Sequence, residues 1–193
     1  MDGWRRLYSP SPRFPSKAAP VFYDCEASGF DGVPIEIGWV FAEPKAGNIT
    51  GESHLVLPPR DWPVEESWDP AAEALHGISL DYLRQHGRPI REIAQRMNHA
   101  LDGRELYSDS PLDGVWLKRI LDEAGIEPAF TIGRIDAEAL ISELAVDRGL
   151  GASAYARAKA LAAQLAPLQH RAEADVRYWA ILWNIVARGT FTP

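Results

Sequence analysis

Apolar positions between residues 21 and 57 fall in short β-prone runs separated by turn residues. Val21-Phe22-Tyr23 leads into Asp24, and residues 34–42 (Pro-Ile-Glu-Ile-Gly-Trp-Val-Phe-Ala) partly alternate as a strand does. A third run at 52–57 ends at Pro58-Pro59, and the short links predict an antiparallel meander. From residue 69 the pattern turns helical. Asp69-Pro70 sets an N-cap residue before proline at the first helical position, and Gly77 interrupts that helix. Ser79 caps a second short helix, and Pro89 opens a third through about Leu101. A brief strand fits 105–108. Residues 111–124 then place Leu112, Val115, Trp116 and Ile120 at near-helical spacing, with Gly125 as the stop. Another short strand fits 130–132, and Asp136 caps a helix to about Val146. The alanine-rich stretch 152–165 is a strong helix former, and a last helix runs from about His170 to Ala187. No internal repeat is visible. A meander followed by alternating helices and strands predicts a mixed sheet with helices packed around it.

The 193 residues suffice for one domain with a core. Hydrophobic residues at 46% and charged residues at 24% are close to the globular average, which argues against wholesale disorder. Residues 9–20 contain four prolines among serine and basic residues, so 1–20 is expected to be an extended basic arm and 21–193 the folded domain. No stretch approaches the roughly 20 apolar residues of a membrane helix. The pair Arg5-Arg6 lacks the apolar segment of an export signal, so a cytoplasmic protein with no membrane partner is expected. The single cysteine, Cys25, rules out an internal disulfide and a cysteine-rich zinc site.

Net charge is −7, unlike the basic footprint usual for nucleic-acid binders. The balance is uneven. Arg5, Arg6, Arg13 and Lys17 against Asp2 give the arm +3, which leaves −10 for the rest. An acidic enzyme can still accept phosphates when its carboxylates hold divalent cations, because the metals carry the local positive charge.

Three segments carry candidate chemistry: Asp24-Cys-Glu26 at the end of the first strand, Asp113 in the first turn of a helix, and His170-Arg-Ala-Glu-Ala-Asp175 at the head of the last. Each has an ordinary structural reading when taken singly: surface charge, a helix-dipole partner, a packing histidine. Their placement argues for more. Asp24 and Glu26 are two apart on a strand and face the same way. His170 and Asp175 are five apart, within about 140° of each other on a helix; if His170 just precedes the helix, both can face one cleft. Asp24, Glu26, Asp113 and Asp175 would be four hard oxygen donors, suited to magnesium or manganese rather than zinc. Two such ions about 3.5–4 Å apart stabilise the attacking and leaving oxygens of an in-line phosphoryl displacement, and a histidine beside them can take the water's proton. Without metal, the converging carboxylates would repel one another and be partly protonated.

Asp-Cys-Glu-Ala-Ser-Gly-Phe (24–30), Ser-Asp-Ser-Pro-Leu-Asp-Gly-Val-Trp-Leu (108–117) and His-Arg-Ala-Glu-Ala-Asp (170–175) resemble, in order, the three motifs of the DEDDh, or DnaQ-like, 3′–5′ exonucleases. The stretch 69–79, with its His76-Gly77-Ile78 turn, is similar to a further family segment, and the resemblance spans about residues 21–186. It implies a ribonuclease-H-like α/β fold, a five-stranded mixed sheet flanked by helices. It implies two Mg2+ or Mn2+ ions held by Asp24, Glu26, Asp113 and Asp175, with His170 as general base and Glu26 also orienting the water. Ala27, Ser28 and Phe30 would line the pocket for the 3′-terminal nucleotide, with His76 and Gly77 facing it. Phe30 has two readings, a base-stacking aromatic or a core aromatic. The implied activity removes nucleoside 5′-monophosphates from single-stranded or frayed DNA or RNA with a free 3′ end. The other readings are a silent scaffold domain of the same fold and a proofreading subunit of a polymerase complex, and a homodimer is left open. The sequence departs from the family at Ser108-Asp109, where many members have His-Asn, and at Ala27-Ser28, where a threonine pair is usual. Asp109 either adds a carboxylate near the metals or points to solvent.

Overall fold

The three apolar runs near the start of the chain pair as expected. In the computed structural model, which describes residues 19–43 and 49–189, β1 (Val21–Ala27), β2 (Pro34–Phe41) and β3 (Thr50–Leu57) form an antiparallel meander. The arm expected over 1–20 lies, but for Ala19 and Pro20, outside the described residues. On the other side of β1 run β5 (Glu105–Tyr107) and then β6 (Thr131–Ile132), both parallel to their neighbours. Among the described residues the sheet has six strands rather than the five expected, and with β4 (Arg88–Pro89) at one edge their order is β4-β3-β2-β1-β5-β6. The addition is β4, which pairs with Val56 and Leu57. Gly87 makes this possible: a Cβ there would stand 2.9 Å from the Leu57 backbone. Proline is tolerated in β4 because it is an edge strand.

Seven helices complete the described fold: α1 (Pro70–His76), α2 (Leu80–His86), α3 (Ile90–Leu101), α4 (Pro111–Ala124), α5 (Ala137–Asp147), α6 (Ala152–Leu165) and α7 (Ala172–Arg188). Four of their starts follow local side-chain chemistry. Asp69, Ser79, Ser110 and Asp136 each accept a hydrogen bond from a first-turn amide of α1, α2, α4 and α5. The last helix begins at Ala172, two residues later than expected, because His170 adopts a left-handed backbone (φ 52°) and Arg171 is extended.

The period of two along the strands divides the core. Val21, Tyr23 and Cys25 of β1, with Ile35, Ile37 and Trp39 of β2, pack with α3 and α4 on one face. Phe22 and Val40 belong to the opposite face, with α5, α6 and α7. Ala158 and Ala162 of α6 are fully buried there, and their small side chains let α6 lie close to α7. By the same alternation Asp24 and Glu26 lie on the α7 face.

Candidate active site

Near its end, β1 carries carboxylates where its earlier residues carry core side chains. Asp24 is opposite Gly38 of β2, and Glu26 is opposite Glu36. A Cβ on Gly38 would come within 2.4 Å of the Glu173 amide nitrogen and 2.7 Å of the Ala172 carbonyl carbon. The bare backbone at Gly38 therefore seats the first turn of α7 directly on the sheet, beside Asp24. Glu36 fixes that turn from below. It is 1% exposed; its carboxylate takes two hydrogen bonds from the Arg171 guanidinium, at 2.8 and 3.0 Å, and one from the Ala172 amide, at 3.1 Å. The charge-assisted fork and the helix-end amide together stabilise a carboxylate that has lost its water. Neither Glu36 nor Arg171 was singled out from sequence. The available signal was a glutamate inside the apolar run of β2.

Asp175 follows in the first turn of α7, where its Oδ1 accepts from the Gln169 amide at 2.7 Å. That bond closes the 169–175 segment across His170, which is half-buried at the junction. Histidine is among the non-glycine residues that enter the left-handed region more readily.

Asp113 arrives from the opposite side, in the first turn of α4. β5 pairs with β1 only at Val21 and Phe22, so the edge of β1 is open further along. Asp113 Oδ1 accepts from the Cys25 amide on that open edge, at 3.3 Å. Its other oxygen, Oδ2, is buried and has no hydrogen-bond partner in a residue only 1% exposed. One carboxylate oxygen from each of Asp24, Asp109 and Asp113 lies within 4.8 Å of the others. Asp24 and Asp113 thus come together as the sequence suggested, and Asp109 joins them. Glu26 and Asp175 lie outside this tight group but act on it electrostatically. A cavity of about 370 Å³ opens beside the group, walled by Asp24, Asp109, Asp175, Leu168, Tyr178 and Trp179.

The carboxyls resist ionisation. Burial is the main reason the Asp24 pKa is raised, followed by the negative charges of Asp113, Glu26, Asp109 and Asp175. Burial and then Asp109 raise Asp113, an effect partly offset by the hydrogen bond from the Cys25 amide. Glu26 is pushed up to about 7 by burial, Asp175 and Glu36, against the lowering influence of Arg171. Crowded carboxylates deprived of water in this way suit a divalent cation, whose charge would remove the repulsion. The buried Asp113 Oδ2 and the all-oxygen donor set fit such an ion.

The loop after β1 packs against the 62–69 segment. The Ser28 hydroxyl accepts from the Val33 amide at 3.0 Å and contacts the Ser67 carbonyl and hydroxyl, so its bonding capacity goes to the loop itself. Ala27 is buried at a bulge in the β1–β2 register. Phe30 is 75% exposed, which disposes of its reading as a core aromatic. His76 is buried, with Nδ1 accepting from the Ile78 amide at 3.0 Å, and burial lowers its pKa. Gly77 supplies the left-handed cap of α1 (φ 69°).

No protein-family model matches the sequence, and no curated protein sequence does. Similarity is found among solved structures. The zinc-ion-bound form of the E. coli ExoI–ssDNA complex aligns with TM-score 0.59 and 15% identity, covering 90% of this chain and 41% of that one. E. coli exonuclease I in complex with a dT13 oligonucleotide aligns with TM-score 0.50 and 15% identity, over 65% of this chain and 29% of that one. A product-bound exonuclease I gives TM-score 0.51 and 15% identity, over 66% of this chain and 32% of that one. The chain therefore spans well under half the length of these proteins. At this identity the likeness concerns the fold: the mixed six-stranded sheet with its helices is similar to part of exonuclease I.

Proposed function

We propose that this chain is a divalent-metal-dependent 3′–5′ exonuclease acting on a single strand with a free 3′ end and releasing nucleoside 5′-monophosphates. The observation that carries the reading is the convergence of Asp24, Asp109 and Asp113 on one point, with a buried, unpartnered oxygen on Asp113. A fold similar to exonuclease I, whose solved structures include complexes with single-stranded DNA, supports it.

In this reading Asp24, Glu26, Asp113 and Asp175 hold two Mg2+ or Mn2+ ions. Bound there, such ions would acidify a water and neutralise charge on the attacked phosphate. The protein's own work is placement. Gly38 and Glu36 hold the first turn of α7, and with it Asp175, against β1. His170, at the junction before α7, takes the proton of the attacking water. Phe30 offers an exposed ring to the terminal base, and stacking of this kind is worth about 1–3 kcal/mol per base.

The test is digestion of end-labelled single-stranded DNA and RNA, with free and blocked 3′ ends, in Mg2+, Mn2+ or chelator. Stepwise loss of 5′-monophosphates from free 3′ ends, abolished by chelator, is expected. Undiminished activity in chelator, or equal cutting of blocked ends, would overturn the reading.

A further inference from the structure

The loop between β5 and α4 brings a carboxylate into the site that the four-carboxylate set does not include. Asp109 is exposed as a residue, yet one of its oxygens lies within 4.8 Å of oxygens of both Asp24 and Asp113. Asp175 and Asp136 are further acidic neighbours of its carboxyl. A free surface aspartate would swing into water to escape such neighbours. The backbone amide of Asp109 itself and the Trp179 indole, which lines the same cavity, favour the Asp109 carboxylate where it stands. Trp179 follows Asp175 by four residues on α7, so the two share a helix face, and both line the 370 Å³ cavity with Asp109.

A second observation points to a ligand at the same place. Asp113 is 1% exposed, and its Oδ2 has no partner. A buried carboxylate oxygen left unsatisfied is destabilising unless something outside the chain completes it. A cation touching Asp113 and Asp24 would be within reach of Asp109.

We infer that Asp109 is a ligand of the divalent cation in this site and that Trp179 is its positioning residue. The inference rests on the functional reading above. It makes the site five carboxylates strong, against the four positive charges of two divalent ions. The excess negative charge favours metal loading before any nucleic acid arrives, where a four-carboxylate site would depend more on the substrate phosphate to complete the charge balance.

The experiment titrates the full chain with Mn2+ in the absence of nucleic acid. Calorimetry and the paramagnetic resonance signal of free Mn2+ report binding, and metal-free melting temperatures report folding. Asp109→Asn should weaken Mn2+ binding at least tenfold with an unchanged metal-free melting temperature. Trp179→Phe should weaken it by about tenfold, the lower end of what losing a group that orients a ligand costs. Asp147→Asn, a change of the same charge at the exposed end of α5, should leave binding unchanged. Wild-type affinity in Asp109→Asn, alongside lost binding in Asp113→Asn, would overturn the assignment of Asp109 and leave the functional reading standing. Equal weakening by Asp147→Asn would reduce the effect to net charge and also overturn it. No Mn2+ binding by the wild type would remove the functional reading and this inference together. If Asp109→Asn does not fold, Trp179→Phe decides: unchanged affinity in that variant overturns the positioning role and the ligand it supports.

Discussion

Gly38 stands opposite Asp24 in the β1–β2 register, and the space its absent side chain leaves is filled by the backbone of Ala172 and Glu173. The approach of α7 to the acidic cluster is thus set by one missing methyl group. Gly38→Ala would put a carbon 2.4 Å from a main-chain nitrogen that cannot swing aside. The helix start must lift, at an overpacking cost of about 1–3 kcal/mol. Asp175 would lift with it, so Mn2+ affinity and nuclease rate should fall further than the melting temperature suggests. Calorimetric metal titration beside thermal melts checks this.

His170→Ala tests proton abstraction apart from metal binding. General-base contributions are typically about 10²–10⁴-fold, so turnover in Mg2+ at neutral pH should drop by that order. All the carboxylates remain, and Mn2+ affinity should stay near the wild-type value. Asp24→Ala, in contrast, should lose affinity and rate together. Turnover close to wild type in His170→Ala would remove the histidine from the mechanism.

The raised carboxyl pKa values make the metal-free protein sensitive to alkali. Glu26 rises from 4.5 to about 7, and Asp24 and Asp113 are raised as well. The folded state then binds more protons than the unfolded state, so stability falls as pH rises through the folded pKa values. His54 and His76 act oppositely, since burial lowers their pKa and stability is lost as pH falls below their usual 6.5. The clean window is therefore above pH 6.5. In chelator the melting temperature should fall between about pH 6.5 and 8.5, and Mn2+ should largely abolish the fall. A melting temperature that rises across this window in chelator contradicts the crowding of these groups.

Phe30→Ala separates substrate contact from folding. At 75% exposure the ring contributes little to the core, so the melting temperature should not move. Loss of a stacking platform worth about 1–3 kcal/mol should raise KM for single-stranded DNA by roughly 5–150-fold. An unchanged KM would leave Phe30 a surface residue with no part in binding.

What could be read from the chain followed the range of the interactions. Apolar runs located the meander, and Asp69, Ser79 and Asp136 marked helix starts because a cap acts within three residues. The convergence of Asp24 with Asp113 was legible through motif order. Strand β4 was not, because two residues have no periodicity and their pairing depends on Leu57, about thirty positions away. The late start of α7 was hidden for the same reason: Glu36, 136 residues before Ala172, captures its first amide. Asp109 could be placed neither in the site nor out of it, since its neighbours there, Asp24, Asp113 and Trp179, come from other elements.

Strand β5 is only three residues long, and its pairing with β1 ends at Phe22. One more step of pairing would compete with Asp113 for the Cys25 amide, pull the 108–110 loop into the sheet and carry Asp109 away from Asp24. The brevity of β5 is therefore a constraint on drift. Mutations that extend this strand would add backbone hydrogen bonds and stability while erasing the acidic cluster. A lineage selected only for a sturdier sheet should lose the chemistry first at Tyr107 and Ser108, where not one of the carboxylates lies.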